Sequence, residues 1–379
     1  MSFNFEPYPF EKLRSLLADV TPSPDYSPIV LTVGEPKFDT PKLITETLCK
    51  EAAGLRYYPK SAGEPELNDA MRGFVARRFG VELESCELIP TLGTREVLFN
   101  FPQFLLFGKE NPVMAYTNPF YQIYEGAAIA SRARVITLDL TEENGFLPEK
   151  DPEVLKQCDL VILNYPNNPT GAVMSLEEMT EWVKLAQEYD FVLVNDECYS
   201  EIYLDTPPHG ILEAAKKAGV HDFHNIICVN SISKRSSAPG LRSGFIAGDR
   251  TILDGYGKYR TYVGAAPGLP LQKAAAAAWS DEAHAASFRQ MYRANARLAS
   301  EILDYPAIDA TFYVWLKVDD DEAAARKLLS EFNITVLPGS YLGRGGAGKG
   351  YIRIALVENE ATMREALLRL KKFMDRDTH

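Results

Sequence analysis

The chain has 379 residues, 46% of them apolar, with 52 acidic against 40 basic side chains and a net charge of −12. That length exceeds one hydrophobic core and predicts two domains. The acidic balance argues against nucleic acid as a partner, because phosphate binding needs basic patches. No apolar run approaches the ~20 residues that span a bilayer. Met1–Pro7 lacks the basic-then-apolar pattern of a secretory leader. The five cysteines are scattered and read as reduced thiols, so the expected location is cytoplasmic.

In chain order, residues 1–38 are rich in Pro and aromatics and read as an arm that joins the smaller domain and packs on another surface. Over 39–269, strand candidates (112–116, 133–138, 159–164, 191–196, 225–230, 243–247) alternate with helical stretches at 64–79, 94–106 and 176–189. The alternation predicts an α/β domain with a mostly parallel sheet covered by helices. From 270 to 379 the pattern changes to helices at 273–279, 282–303 and 360–373 and strands at 312–318, 334–337 and 351–356. This reads as a smaller α+β domain.

Three strand ends carry chemistry. The run 191–196 ends in Asp196, and ligands in α/β folds bind at the carboxyl ends of strands. Asp196 is placed to hold a proton on a pyridine nitrogen, with Tyr199 one turn on; the plainer alternative is a strand-end Asp capping a helix. The run 159–164 leads into Asn164-Tyr165-Pro166-Asn167-Asn168-Pro169-Thr170-Gly171, a turn from which Asn168 can reach a ring oxygen. The run 225–230 leads into Ser231-Ile232-Ser233-Lys234, with Arg242 eight residues later. A lone Lys is ordinarily a solvated charge. An amine in such a turn can also form a Schiff base with an aldehyde cofactor, and Ser231, Ser233 and the Arg242 fork suit a phosphate. Together with the carboxylate they point to pyridoxal phosphate, whose ring is an electron sink.

Two tempting features lead elsewhere. Gly343-Arg344-Gly345-Gly346-Ala347-Gly348-Lys349 has phosphate-loop spacing, but Gly350 stands where Ser or Thr belongs and a strand follows, so a surface loop is the better reading. The five histidines show no metal-ligand spacing with Cys, and 319–322 reads as an acidic helix start.

The three motifs in this order resemble the fold-type I, pyridoxal-phosphate-dependent aminotransferases of class I/II, and the likeness runs from Gly34-Glu35-Pro36 to Arg353-Ile354-Ala355-Leu356. It implies a seven-stranded large-domain sheet and a homodimer with shared active sites. It makes Lys234 the Schiff-base lysine, Asp196 the pyridinium partner, Asn168 and Tyr199 the pair on the ring oxygen, and Ser231, Ser233 and Arg242 phosphate ligands. Gly93-Thr94-Arg95 would open a helix beneath the phosphate, where free N–H groups and the helix dipole favour anions. Tyr121 would stack on the ring and Tyr58 would reach the neighbouring subunit's phosphate. Arg353 would clamp the substrate α-carboxylate, with Gly34 and Asn168 beside it. Asn118–Pro119 and Asn168–Pro169 are expected to be cis.

A narrower likeness, in Ser233–Ser236, 238–245, 259–264, 311–316 and 337–342, is similar to N-succinyldiaminopimelate aminotransferases. It implies glutamate as amino donor to N-succinyl-2-amino-6-oxopimelate, with Arg260 and Arg344 as candidate readers of the distal carboxylates. Asn68 and the stretch 267–270 depart from that pattern. The alternatives are a broad-range, aspartate or aromatic aminotransferase, a lyase on the same scaffold, or a cofactor-binding regulator.

Overall fold

The computed structural model describes residues 5–377, so the first four residues of the expected arm and the chain end, His379 included, lie outside it. Seven strands form the main sheet, in the spatial order Leu88–Thr91, Gly244–Gly248, Ile226–Ser231, Val192–Asp196, Leu160–Leu163, Val113–Asn118, Arg134–Asp139. Gly244–Gly248 runs against its neighbours, and the ladders from Ile226–Ser231 to Arg134–Asp139 are parallel. The central strands are Val-, Ile- and Leu-rich and buried along their whole length, as a parallel sheet covered on both faces requires.

Pairing of Leu163 with Asn195 and of Asp196 with Val229 brings three strand ends level. Side chains lock them together: Asn164 Nδ2 donates to the Asp196 carbonyl at 2.9 Å, and the Tyr165 N–H donates to Asn195 Oδ1 at 3.1 Å. The turns that carry Asn168, Tyr199 and Lys234 therefore share one edge. Both expected cis bonds are cis, as is Tyr165–Pro166.

Helix Leu176–Tyr189 starts in a capping box: Ser175 Oγ accepts from Glu178 N–H at 3.2 Å, while Glu178 accepts from Ser175 N–H at 2.9 Å. It buries Trp182 and Val183 against the sheet. Helix Leu269–Ser280 packs in the same core, with the Trp279 ring 4.9 Å from that of Phe74. The boundary expected at 269/270 thus cuts off a helix whose Ala-rich face lies against the first core, and the chain crosses to the second core at Asp281–Glu282.

The second core gathers helix Ala283–Leu303, helix Asp321–Phe332, helix Glu360–Asp377 and a three-stranded antiparallel sheet of Leu337–Pro338, Tyr351–Ala355 and Tyr313–Lys317. The strand expected at 334–337 is two pieces: Ile334–Thr335 pairs with Ile29–Val30 of the arm, and Leu337–Pro338 joins the sheet. The arm is bound to this domain again where Ala355 N–H donates to Leu31 O at 2.9 Å. Helix Pro9–Leu16 adds Leu13 to a small cluster with Trp315, Leu337 and Leu342. Among the described residues no helix is long and apolar enough to cross a membrane.

Candidate active site

A cleft of about 500 Å³ opens where the three strand ends face the second core and the arm. Lys234 enters it from the short helix Ile232–Arg235, and its Nζ donates to the Gly34 carbonyl across the domain junction. Burial lowers the pKa of this amine, which favours the neutral, nucleophilic form.

Asp196 lies at the cleft floor, 4% exposed. Its Oδ2 accepts from Tyr124 OH at 2.9 Å and its Oδ1 from Cys198 N–H at 3.3 Å. Burial raises its pKa against the pull of these hydrogen bonds. Both of these donors are neutral, so a protonated ring nitrogen would be the charge-compensating neighbour such a carboxylate needs.

One wall suits a phosphate. Ser231 and Ser233 hydroxyls stand 2.9 Å apart, and Arg242 reaches the Leu92 and Pro239 carbonyls at 2.9 Å each. Helix Thr94–Leu105 points its N-terminus here from Gly93. Gly93 has φ 77°, and a Cβ there would come within 2.4 Å of the Arg242 guanidinium, so glycine is needed both for the conformation and for the close approach. Arg95 Nε donates to Tyr121 OH at 2.8 Å and fixes that ring at the cleft wall.

The opposite wall comes from the second core. Tyr199 OH lies 3.0 Å from Tyr313 OH. Arg353 is 5% exposed; it donates to Asn168 Oδ1 at 2.9 Å and to the Thr32 carbonyl at 2.7 Å, while its buried Nε meets no acceptor among the described residues. Its guanidinium sits 4.5 Å from the Tyr313 ring centre. A cation held by neutral oxygens, with an unused donor, is prepared for a carboxylate. An amine, a buried acid, an anion cradle and flanking phenols fit pyridoxal phosphate as a group.

Three expected residues stand outside this cleft. Tyr58 is fully exposed on this chain. Arg260 is wholly buried in the first domain, its guanidinium 3.0 and 3.1 Å from the two Glu96 oxygens and also donating to Ala265 O. Arg344 clasps Glu125 at 2.8 and 2.5 Å beside a separate cavity of about 260 Å³. Neither arginine reaches the cleft, because each meets a carboxylate first. Conversely, Tyr124, Cys198, Tyr313 and Tyr8 belong to the cleft or its supports and went unnoticed. Tyr124 had a signal: it follows Tyr121 by one helical turn. Tyr313 lies in the stretch 311–316 that carries the narrower likeness, but nothing local ties it or Tyr8 to the cleft, since distant segments bring them in.

Comparison with known proteins agrees with this geometry. The family described as aminotransferase class I and II matches residues 26–370. The LL-diaminopimelate aminotransferase of Aquifex aeolicus is 33% identical over 360 residues, 90% of each chain. The structure of aminotransferase AspB from Helicobacter pylori superposes with a TM-score of 0.96 at 49% identity, covering 98% of this chain and 99% of that one. An aminotransferase from Neisseria meningitidis gives 0.92 at 38%, covering 99% and 98%.

Proposed function

The chain belongs to the class I and II aminotransferases, which depend on pyridoxal phosphate, and from that premise we propose that it moves an amino group between a diaminopimelate-type amino acid and 2-oxoglutarate. The observation that carries the reading is the convergence of Lys234, Asp196 and Arg353 on one cleft. The cofactor, when bound, supplies the electron sink for the carbon that loses its proton.

The chain's own groups do the rest. Ser231, Ser233, Arg242 and the N-terminus of helix Thr94–Leu105 hold the phosphate. With the cofactor bound, Asp196 would favour a proton on the ring nitrogen by charge, and Asn168 and Tyr199 would hold the ring oxygen. Arg353 grips the α-carboxylate and so aims the Cα–H bond. Lys234, whose amine burial shifts toward the neutral form, would take that proton and carry it as the general acid for the return step. Tyr58 of a second copy completes the phosphate site in a homodimer.

Relatives named LL-diaminopimelate aminotransferase support the free diamino acid. The likeness in Ser233–Ser236 and 238–245 supports its N-succinyl derivative. Both present the same reacting end to Arg353. The test is a panel of kcat/KM values over both compounds, aspartate and phenylalanine with 2-oxoglutarate. A preference of about 100-fold or more for a diaminopimelate skeleton is expected. Equal or better use of aspartate or phenylalanine replaces the reading with a broad-range one.

A further inference from the structure

The residue after Lys234 is an arginine that is 1% exposed and makes no contact with the cleft. Arg235 instead spreads its guanidinium over the segment where the chain passes from the first core to the second. Nη1 donates to Ala278 O at 2.8 Å; Nη2 donates to Asp281 O and to the Glu282 carboxylate, both at 2.9 Å. Glu201 stands 3.9 Å from its Nε, and the Phe74 and Trp279 rings flank it at 5.2 and 5.8 Å.

The next residue makes a second tie to the same place. Ser236 Oγ lies 2.8 Å from His284 Nε2, and His284 Nδ1 lies 2.5 Å from Asp281 Oδ1. The groups facing this imidazole are thus Asp281, Glu282 and Arg235. Helix Leu269–Ser280 ends in the first core and helix Ala283–Leu303 begins in the second, so Asp281–Glu282 is the crossing itself.

We propose that Arg235 and His284 are positioning residues that fasten the lysine turn to the interdomain crossing, so that the placement of the Lys234 amine is set by that crossing. The physical reason is geometric. A four-residue helix cannot hold its own orientation, and a planar guanidinium with three acceptors fixes both position and angle. A buried Arg kept only for stability could be replaced by packed apolar groups; one that ends on the crossing transmits any displacement there to the neighbouring side chain. This inference rests on Lys234 being the reacting amine.

The test uses Glu282→Gln and His284→Gln, which touch neither the cleft nor its ligands, with Lys273→Ala on the preceding helix as control. Two quantities are read. The first is the pH dependence of acylation of the Lys234 amine in the cofactor-free protein by a small anhydride, followed on the Lys234 peptide. The second is the kcat-against-KM split with glutamate in the holoenzyme. A loosened turn should let the amine meet more water, moving its labelling curve up by about half to one pH unit. It should lower kcat about 10-fold or more with KM for glutamate within about 2-fold, since Arg353 is untouched. Both variants matching Lys273→Ala in labelling and in kcat would overturn the proposal. A Lys234→Ala protein that stays active would instead sink the underlying role of Lys234.

Discussion

Arg353 and Arg260 are both buried guanidiniums, and they teach opposite lessons. Arg260 has a carboxylate on it: Glu96 takes two of its donors, and carbonyl oxygens take others. Arg353 is held by an amide oxygen and a carbonyl, and its Nε has no acceptor among the described residues. The first pair is closed and neutral, so it can only stabilise. The second is an open positive charge on a cleft wall. Burial of a charge does not mark a site; burial without a counter-charge does.

The largest expected effect lies on the open side. Lys234→Ala should keep the fold and lower transamination by about 10⁴-fold, the upper range for a lost acid–base group. After borohydride reduction of the wild-type holoenzyme, the pyridoxyl label should sit on the Lys234 peptide; a label on another lysine refutes the assignment. Asp196→Asn should follow, retaining cofactor but losing about 10²–10³-fold in rate, because an amide cannot compensate a ring cation. A near-normal single-turnover rate would remove Asp196 from the mechanism.

The two arginines should then separate by type of damage. Arg353→Ala should raise KM for glutamate and for the diaminopimelate substrate alike, by about 100-fold, with little change in melting temperature. Arg260→Ala should do the reverse, costing about 3–5 kcal/mol of stability by stranding Glu96. If Arg260→Ala instead shifts only KM, the contrast fails.

The smallest effect concerns two adjacent carboxylates. Asp196 faces the cleft, whereas Glu197 faces inward, its Oε1 accepting from Ile211 N–H at 2.7 Å and Asn195 Nδ2 at 3.2 Å. Burial pushes the Glu197 pKa up from 4.5 to about 7. Between those values the folded state holds a proton that the unfolded state has released, so this group's contribution to stability falls as pH rises. Glu197→Gln cofactor-free protein should therefore gain on wild type through this window, by up to about 3 kcal/mol. A pH-independent difference in denaturation free energy would contradict that.

These contrasts also show what a sequence makes visible. The shared placement of Asp196, Asn168 and Lys234 at one cleft was readable because each follows or ends an apolar strand, where local pattern and chain order carry the information. Helix Leu176–Tyr189 was readable for the same reason, from its cap and its spacing. Arg260 and Arg344 were misplaced because spacing says nothing about where a long side chain ends, and Glu96 and Glu125 lie 164 and 219 residues away from them. Helix Leu269–Ser280 was assigned across the wrong boundary because an alanine-rich face suits either core. Arg353 was accessible only through family likeness, since its partners Asn168 and Thr32 lie 185 and 321 residues away from it.

The central claim is that Lys234, Asp196 and Arg353 form one transamination centre. The direct measurement is a single half-reaction: mix the holoenzyme with glutamate alone and follow the cofactor's absorbance together with the released products. The account predicts conversion of the cofactor to its amine form with one 2-oxoglutarate per active site, abolished by Lys234→Ala. Release of ammonia, or an unchanged spectrum at saturating glutamate and diaminopimelate, would contradict it.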